Sequence, residues 1–454
     1  MITAMTVKAL GWILMGAQAL KGNVALDHFL KCDALRTASV GFSLIPLEGE
    51  IDPNIAHNAD LALIPASTLK AVTTATALQI LGKEHRFVTR ILRDGGSIIV
   101  KGGGDPTLSM TSPEAEFPAW LDALKKAGLT GIKGDLIIDT THFEHRAIPN
   151  SWPWGDIGNY YGSGAWGLNF HLNSYAVTFQ PGALGATAKL IGIEPQPPRV
   201  RFENHMRTGP PGSGDQGYLY GGPRAEVIHF RGTVPAGPSA FTIKGALPNP
   251  PLSCGVAFQQ YLSKNNFPLH GELKIGTGSG EEIHRQESPS LEKIVTATNH
   301  QSINLYAEAL LNQLGQDGST AAGLSALKNH WQAQGADLTG MVIYDGSGLS
   351  PRNSITPRQL AHLLKLARIH ETGDLFEKSL PIAGVSGTLA SFGNGSAIEG
   401  RIHAKSGGMS RVKTYAGYLT KKSGQRYAFA LMINNFVSDP KNEMVDFLSA
   451  LVSN

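Results

Sequence analysis

The chain reads as an α/β (α+β) protein, an antiparallel sheet flanked by helices, with a large β-rich insertion interrupting the fold. Three observations predict this. Strand-like runs stand near both ends, "SVGFSLIPL" at 39–47 and "RIHAKSGGM", "RVKTYAGYLT" and "YAFALMINNF" after 400. Helical patterns at 68–81 and again after about 286 lie between those ends. Between about 90 and 285 the texture changes to short strand-like runs broken by Gly and Pro clusters.

In chain order, "SVGFSLIPL" and the turn "EGEID" predict a hairpin that returns through "LALIPAS" into the first helix. That helix carries no charge between Lys70 and Lys83, so it should be buried on most sides, and Gly82 is a natural stop. The insertion offers "GSIIVKGGG", "GIKGDLIIDTTHF", "YAVTFQPG" and "AEVIHFRGTVP" as strands, and the Pro- and Gly-heavy run 193–223 reads as a long loop or sub-domain edge. Thr356-Pro357 caps a later helix, Ser423-Gly424 turns the last hairpin, and a helix over 440–453 would cover the sheet. The expected organisation is therefore 20–90 with 286–454 as one domain and 91–285 as the insertion. The insertion divides into about 91–160 with 240–285, and 161–239.

With 42% hydrophobic residues, 53 glycines and 26 prolines, the composition is globular. The net charge of +3 comes from scattered Lys and Arg, which argues against nucleic acid as a partner. Only Cys32 and Cys254 are present, enough for a single bridge or for two buried thiols. Residues 1–19 place Lys8 before a short apolar run ending in Ala17-Gln18-Ala19, a pattern of a secretory signal peptide; an N-terminal core helix is the other reading. No run reaches the roughly 20 apolar residues of a membrane span. An exported, periplasmic protein, soluble or peripherally membrane-associated, is the expectation.

Ser67 and Lys70 form a Ser-x-x-Lys pair where a loop becomes a helix. The same spacing recurs at Ser290, Ser325, Ser410 and Ser438, so spacing alone decides nothing. Ser67 is set apart by Pro65-Ala66 before it and a helix start after it, where the dipole favours an alkoxide. An ordinary N-cap is the alternative, but a capping box would want Glu or Gln where Lys70 stands. A buried lysine can lose enough basicity to act as a base. Ser302-Ile303-Asn304, between helical patterns, could place Ser302 and Asn304 in a cleft. On the strand carrying Lys405-Ser406-Gly407, Lys405 and Gly407 share a face. The ordered set Ser-x-x-Lys, Ser-x-Asn, Lys-Ser/Thr-Gly is far rarer than its parts.

With this set in hand, the sequence resembles the low-molecular-mass class C penicillin-binding proteins, which are D-alanyl-D-alanine carboxypeptidases and endopeptidases. "GGGDPTL" at 102–108, "DGSGLSPRN" at 345–353 and "GVSGTL" at 384–389 are similar to that family's stretches, as is the separation of roughly 230 residues between the first two motifs. The resemblance implies a penicillin-binding, serine β-lactamase-like transpeptidase domain that acts on peptidoglycan peptides and is acylated by β-lactams, with no metal or cofactor. It implies Ser67 as nucleophile, Lys70 as its base, Ser302 and Lys405 as the route for a proton to the leaving amine, and Asn304 as holder of the substrate amide. Ser406 and Gly407 would line the bound peptide, and the N–H groups of Ser67 and Gly408 would form the oxyanion hole. One departure stands out: the family usually reads Lys-Thr-Gly-Thr, and Gly408 lacks the last hydroxyl, which leaves carboxypeptidase preference over endopeptidase open.

The aromatic stretch 151–167 surrounds Asp156, which is either a packing residue between sub-domains or the partner of a free amine on the peptide. His142 and His145 lack an evident third metal ligand, and "KGGGDPTL" lacks the ending of a phosphate loop. A β-lactamase or esterase on the same scaffold, or a catalytically silent peptidoglycan-binding protein, are the competing expectations.

Overall fold

The computed structural model describes residues 24–49, 55–144 and 146–453, so the expected signal peptide at 1–19 and His145 lie outside the described residues. The chain divides into two compact units. One comprises the chain up to Lys83, Leu291–Ile303 and everything from Leu324 on; the other comprises Glu84–Ser290 with Asn304–Gly323.

The first unit is built on a five-stranded antiparallel sheet in the order Ile402–Met409, Val412–Thr420, Arg426–Asn434, Ser39–Pro46, Ala56–His57. The chain's two ends meet in it, Ser39 opposite Asn434 and Pro46 opposite Tyr427. Residues 427–434 are buried without alternation, as a strand covered on both faces must be. The Lys441–Ser453 helix supplies part of that cover, with Phe447 edge-on to Phe42 at 5.0 Å and stacked on Phe29 at 4.9 Å. The Pro357–Ile369 helix packs on the same sheet, and Tyr418 Oη donates to its Leu364 carbonyl at 2.8 Å. Its start is the capping box expected from Thr356-Pro357, completed by Gln359.

The Leu69–Leu81 helix is buried from Leu69 through Leu78, as its lack of charge predicts, and ends at Gly82 with φ +80°. Its threonines do not strand their hydroxyls: Thr74 and Thr76 donate to the carbonyls four residues back, and Thr76 accepts from Trp331 Nε1 at 2.8 Å. The predicted hairpin is much reduced. Among the described residues only Ala56–His57 returns beside Ser39–Pro46, because Leu63 pairs with Ile355, the backbone of Ile64 is taken by the Asn434 side chain, and Pro65 has no N–H to offer a ladder.

The second unit holds three sheets. A five-stranded one runs Leu273–Ile275, Leu136–Asp139, Ser97–Lys101, Val88–Asp94, Glu281–Glu287. A three-stranded one runs Phe241–Ala246, Ser174–Gln180, Lys189–Glu194. In the third, Val227–Pro235 pairs with Gln216–Tyr220 and, in parallel, with Arg201–Asn204 and Arg207–Gly209. The run 193–223 is thus short strands rather than one long loop. Helices Phe117–Lys126 and Pro250–Lys264, unexpected in a region that reads as β, meet through Phe117, Trp120 and Phe258 at centroid distances of 5.1–5.4 Å. Cys254 is buried here and Cys32 half-buried in the first unit; both are free thiols. Among the described residues no helix is long and apolar enough to cross a membrane.

The "GGGDPTL" stretch is a turn in which buried Asp105 accepts from Thr107 N at 2.8 Å and Thr107 Oγ1 at 2.7 Å. Burial pushes its carboxyl up from 3.8 to about 6. A raised folded-state pKa gives stabilisation that is complete below the unfolded value and lost as pH rises through the folded one. Asp105→Asn is therefore expected to gain on the wild type by up to about 3 kcal/mol between pH 4 and pH 7. Urea midpoints of both chains across that range check it; a constant difference would refute it.

Candidate active site

Ser67 sits in a single 3-10 turn, Ala66–Thr68, that runs into the Leu69–Leu81 helix. It is not a cap: neither the turn nor the helix has a side-chain cap, and their N-cap positions are Pro65 and Thr68. The entry is strained, with Ala66 at φ +47° and fully buried. Thr68 Oγ1 and Thr414 Oγ1 both donate to the Pro65 carbonyl, at 2.6 and 2.7 Å, which fixes the turn against the sheet.

Lys70 is completely buried, and its Nζ donates to Ser67 Oγ at 2.9 Å and to the Ser347 carbonyl at 2.7 Å. That carbonyl is held in place by Asp345. Its carboxylate accepts from Gly348 N at 3.0 Å, Ser350 N at 2.6 Å and Asn353 Nδ2 at 2.7 Å. Thr73 Oγ1 ties the adjoining Gly346 carbonyl to the helix at 2.7 Å. At Gly348, with φ +79°, a Cβ would stand 1.9 Å from the Ala66 carbonyl oxygen, so the loop can close on the Ser67 turn only with glycine there.

Lys405 is also completely buried, on the edge strand Ile402–Met409. Its Nζ donates to Ser302 Oγ at 2.9 Å and to the Ser406 carbonyl at 2.8 Å. Burial first, and the charge of Lys70 second, hold its amine well below the usual lysine range. Ser302 lies in the break between the Leu291–Gln301 and Asn304–Leu314 helices at φ +59°, a conformation that turns the chain sharply enough to end one helix and begin the next. Gly407 backs onto the Ser67 turn: a Cβ there would lie 2.9 Å from Ser67 N, 2.8 Å from the Pro65 carbonyl and 2.3 Å from Thr414 Oγ1. Ser406 Oγ is 2.7 Å from Thr388 Oγ1, and Gly408 is exposed, with a Cβ there meeting nothing nearer than the Val412 carbonyl oxygen at 3.8 Å.

Ser67, Lys70, Ser302, Lys405, Ser406, Gly407 and Gly408 thus all lie in the first unit. Asn304 opens the second unit's returning helix, and its Nδ2 donates to the Tyr161 carbonyl at 2.7 Å. Tyr161 Oη in turn donates to Asp156 Oδ1 at 3.1 Å, so a single tyrosine connects Asn304 to Asp156. Partial burial raises the Asp156 carboxyl despite that bond. Sequence reasoning missed Ser347, Asp345, Thr388 and Tyr161. The first three fall in "DGSGLSPRN" and "GVSGTL", which flag the stretches without saying which atom acts.

Two partly exposed serines, each bonded to a buried lysine, are equipped to move a proton off one hydroxyl and onto a leaving group. The sequence profile of the family described as D-Ala-D-Ala carboxypeptidase 3 (S13) matches residues 22–451. Among curated proteins the chain is 29% identical to a D-alanyl-D-alanine carboxypeptidase of an Actinomadura species, covering 83% of this chain and 74% of that protein. It is 24% identical to the D-alanyl-D-alanine carboxypeptidase DacB of Haemophilus influenzae over 84% and 82% of the two chains. Among solved structures, the fold matches penicillin binding protein 4 (dacB) of that organism with a TM-score of 0.80 at 24% identity, covering 92% of this chain and 96% of the other. The same protein complexed with a β-lactam matches at 0.76 and 22%.

Two outcomes follow from the geometry. Gly407→Ala would push the strand off the Ser67 turn, and acylation by benzylpenicillin should fall about 100-fold, with the thermal midpoint also lowered because the added methyl overpacks a buried contact. Because Lys405 is shifted downward, its neutral form persists to lower pH than a free lysine's; the acylation rate should decline on acidification, with the limb well below 10.5. Lys405→Arg, always charged, should be nearly inactive at every pH. Stopped-flow acylation across pH tests both, and an active Lys405→Arg would contradict the assignment.

Proposed function

Because the chain belongs to the D-Ala-D-Ala carboxypeptidase 3 (S13) family, a family of serine-type hydrolases, we propose that Ser67 is its nucleophile and that it cleaves D-Ala-D-Ala bonds of peptidoglycan peptides through an acyl-enzyme. One observation carries the reading: Lys70 Nζ and Lys405 Nζ, both buried, each stand 2.9 Å from a serine Oγ, those of Ser67 and Ser302.

Ser67 Oγ attacks the carbonyl between the two D-alanines while neutral Lys70 takes its proton. Close approach of two buried amines disfavours both carrying charge at once, which keeps a neutral base available. The C–N bond breaks, the departing nitrogen receives a proton from Ser302, and Ser302 regains the proton that Lys70 took, relayed through the uncharged amine of Lys405. Water then cleaves the Ser67 ester. Asn304, oriented by the Tyr161 carbonyl, offers Oδ1 to a substrate N–H. Asp156 takes a free amine of the peptide stem. The N–H groups of Ser67 and Gly408 stabilise the oxyanion. Ser406 and Gly407 line the peptide, and β-lactams acylate the same serine. The pattern of residues 1–19 supports export to the periplasm.

Intact-mass measurement after benzylpenicillin should show one stable adduct on the wild type and none on Ser67→Ala. An adduct on the variant would remove Ser67 as nucleophile, and rapid loss of the wild-type adduct would favour a β-lactamase. Gly408 has room for a side chain, so Gly408→Thr should raise cleavage of a terminal D-alanine relative to cleavage of a cross-link, both measured on muropeptides. Asp156→Asn should lower turnover of an amine-bearing stem peptide relative to its amidated form; an unchanged ratio would count against that role.

A further inference from the structure

The second unit carries a cluster that the hydrolytic chemistry does not use. Glu203 lies on the edge strand Arg201–Asn204, directly opposite His229 of the parallel strand Val227–Pro235. His205 follows two residues after Glu203. Its backbone N–H donates to the Phe230 carbonyl at 2.8 Å, so the two histidines are held to the same stretch of ladder. Ile228 and Phe230 face the core, which places His229 on the opposite, outer face of the sheet.

The three side chains converge. Glu203 Oε2 is 3.0 Å from His229 Nδ1 and 3.9 Å from His205 Nε2, and the ligand atoms all lie within 4.8 Å of one another. Two donors on a tetrahedral zinc with bonds of about 2.0–2.1 Å are separated by roughly 3.3–3.5 Å, the range these distances bracket. His229 Nδ1 is shielded from solvent and forms no hydrogen bond among the described residues, although a carboxylate oxygen stands at 3.0 Å. Arg201 satisfies the other carboxylate oxygen, Oε1, at 2.7 Å, leaving Oε2 on the histidine side.

From this convergence we propose that Glu203, His205 and His229 form a binding site for a divalent late transition ion, zinc above all, with water completing the shell. Two imidazoles and one carboxylate suit such an ion and not magnesium or calcium, which prefer all-oxygen shells. The ion would join the four-residue edge strand to the strand beside it, a parallel pairing otherwise held by a short ladder and the packing beneath it. The site is independent of the hydrolytic reaction.

The test uses the full chain freed of metal by chelation and gel filtration, titrated with zinc chloride by calorimetry and with cobalt chloride by visible absorption. The wild type should take up one zinc per chain, show the intense visible bands of four-coordinate cobalt, and gain thermal stability with zinc. His229→Ala and His205→Ala should each weaken uptake more than about tenfold and abolish the bands. Glu203→Gln, which keeps shape and hydrogen bonding, serves as the gentler variant and should also weaken uptake. Unchanged acylation by benzylpenicillin without zinc would show that the variants fold. The proposal fails if the wild type takes up no zinc at about 100 μM, a level that saturates sites of micromolar affinity. It also fails if His205→Ala/His229→Ala binds zinc as the wild type does.

Discussion

Much of the first unit is organised around the burial of two lysines near each other. Charging either amine out of water and beside the other is costly, and oxygens aimed at the nitrogens hold both in place. For Lys70 these include Ser67 Oγ and the Ser347 carbonyl; for Lys405 they include Ser302 Oγ and the Ser406 carbonyl. Holding a loop carbonyl at that spot requires Asp345 to knot the loop behind it. Holding the strand requires a residue without a side chain at Gly407. The strained turn at Ala66 and the left-handed Ser302 are further parts of the same arrangement, because each sets a serine where an amine can reach it.

The neighbouring motif residue belongs to a different body of the chain. The division between the two units falls between Ile303 and Asn304, so one tripeptide serves both. Within the second unit Tyr161 bonds to both residues, accepting from Asn304 at its backbone carbonyl and donating to Asp156 from its hydroxyl. A loop dense in tryptophan and tyrosine is what allows Asp156 to sit half-buried with a raised pKa and still keep a donor.

Much of this was legible in the residues. The strands 402–409, 412–420 and 426–434 follow from strand-like runs set either side of the Ser423-Gly424 turn, and the all-round burial of the Leu69–Leu81 helix follows from its lack of charge. The Ser67–Lys70 pairing could be read because helical spacing fixes it locally. The contacts to Ser347, Thr388 and Tyr161 could not, because they are made by backbone carbonyls that any residue could supply, or by one common hydroxyl, and only the folded chain brings them near. The helices Phe117–Lys126 and Pro250–Lys264 were hidden by their surroundings of Gly- and Pro-broken strands. The expected return strand through "LALIPAS" was lost to a tertiary competitor, the Asn434 side chain, which no local pattern discloses.

The sheet that unites Ser39–Pro46 with Arg426–Asn434 also governs when the molecule can be finished. Everything the second unit needs has been synthesised by Gly323, whereas the first strand of the first unit waits for partners from the last thirty or so residues. A chain cut short before residue 402 would carry Ser67 and Lys70 but neither the sheet they rest on nor Lys405. The surroundings of Ser67 and Lys70 are therefore completed only when the closing strands join the sheet, so the pair depends on residues more than 300 positions away along the chain.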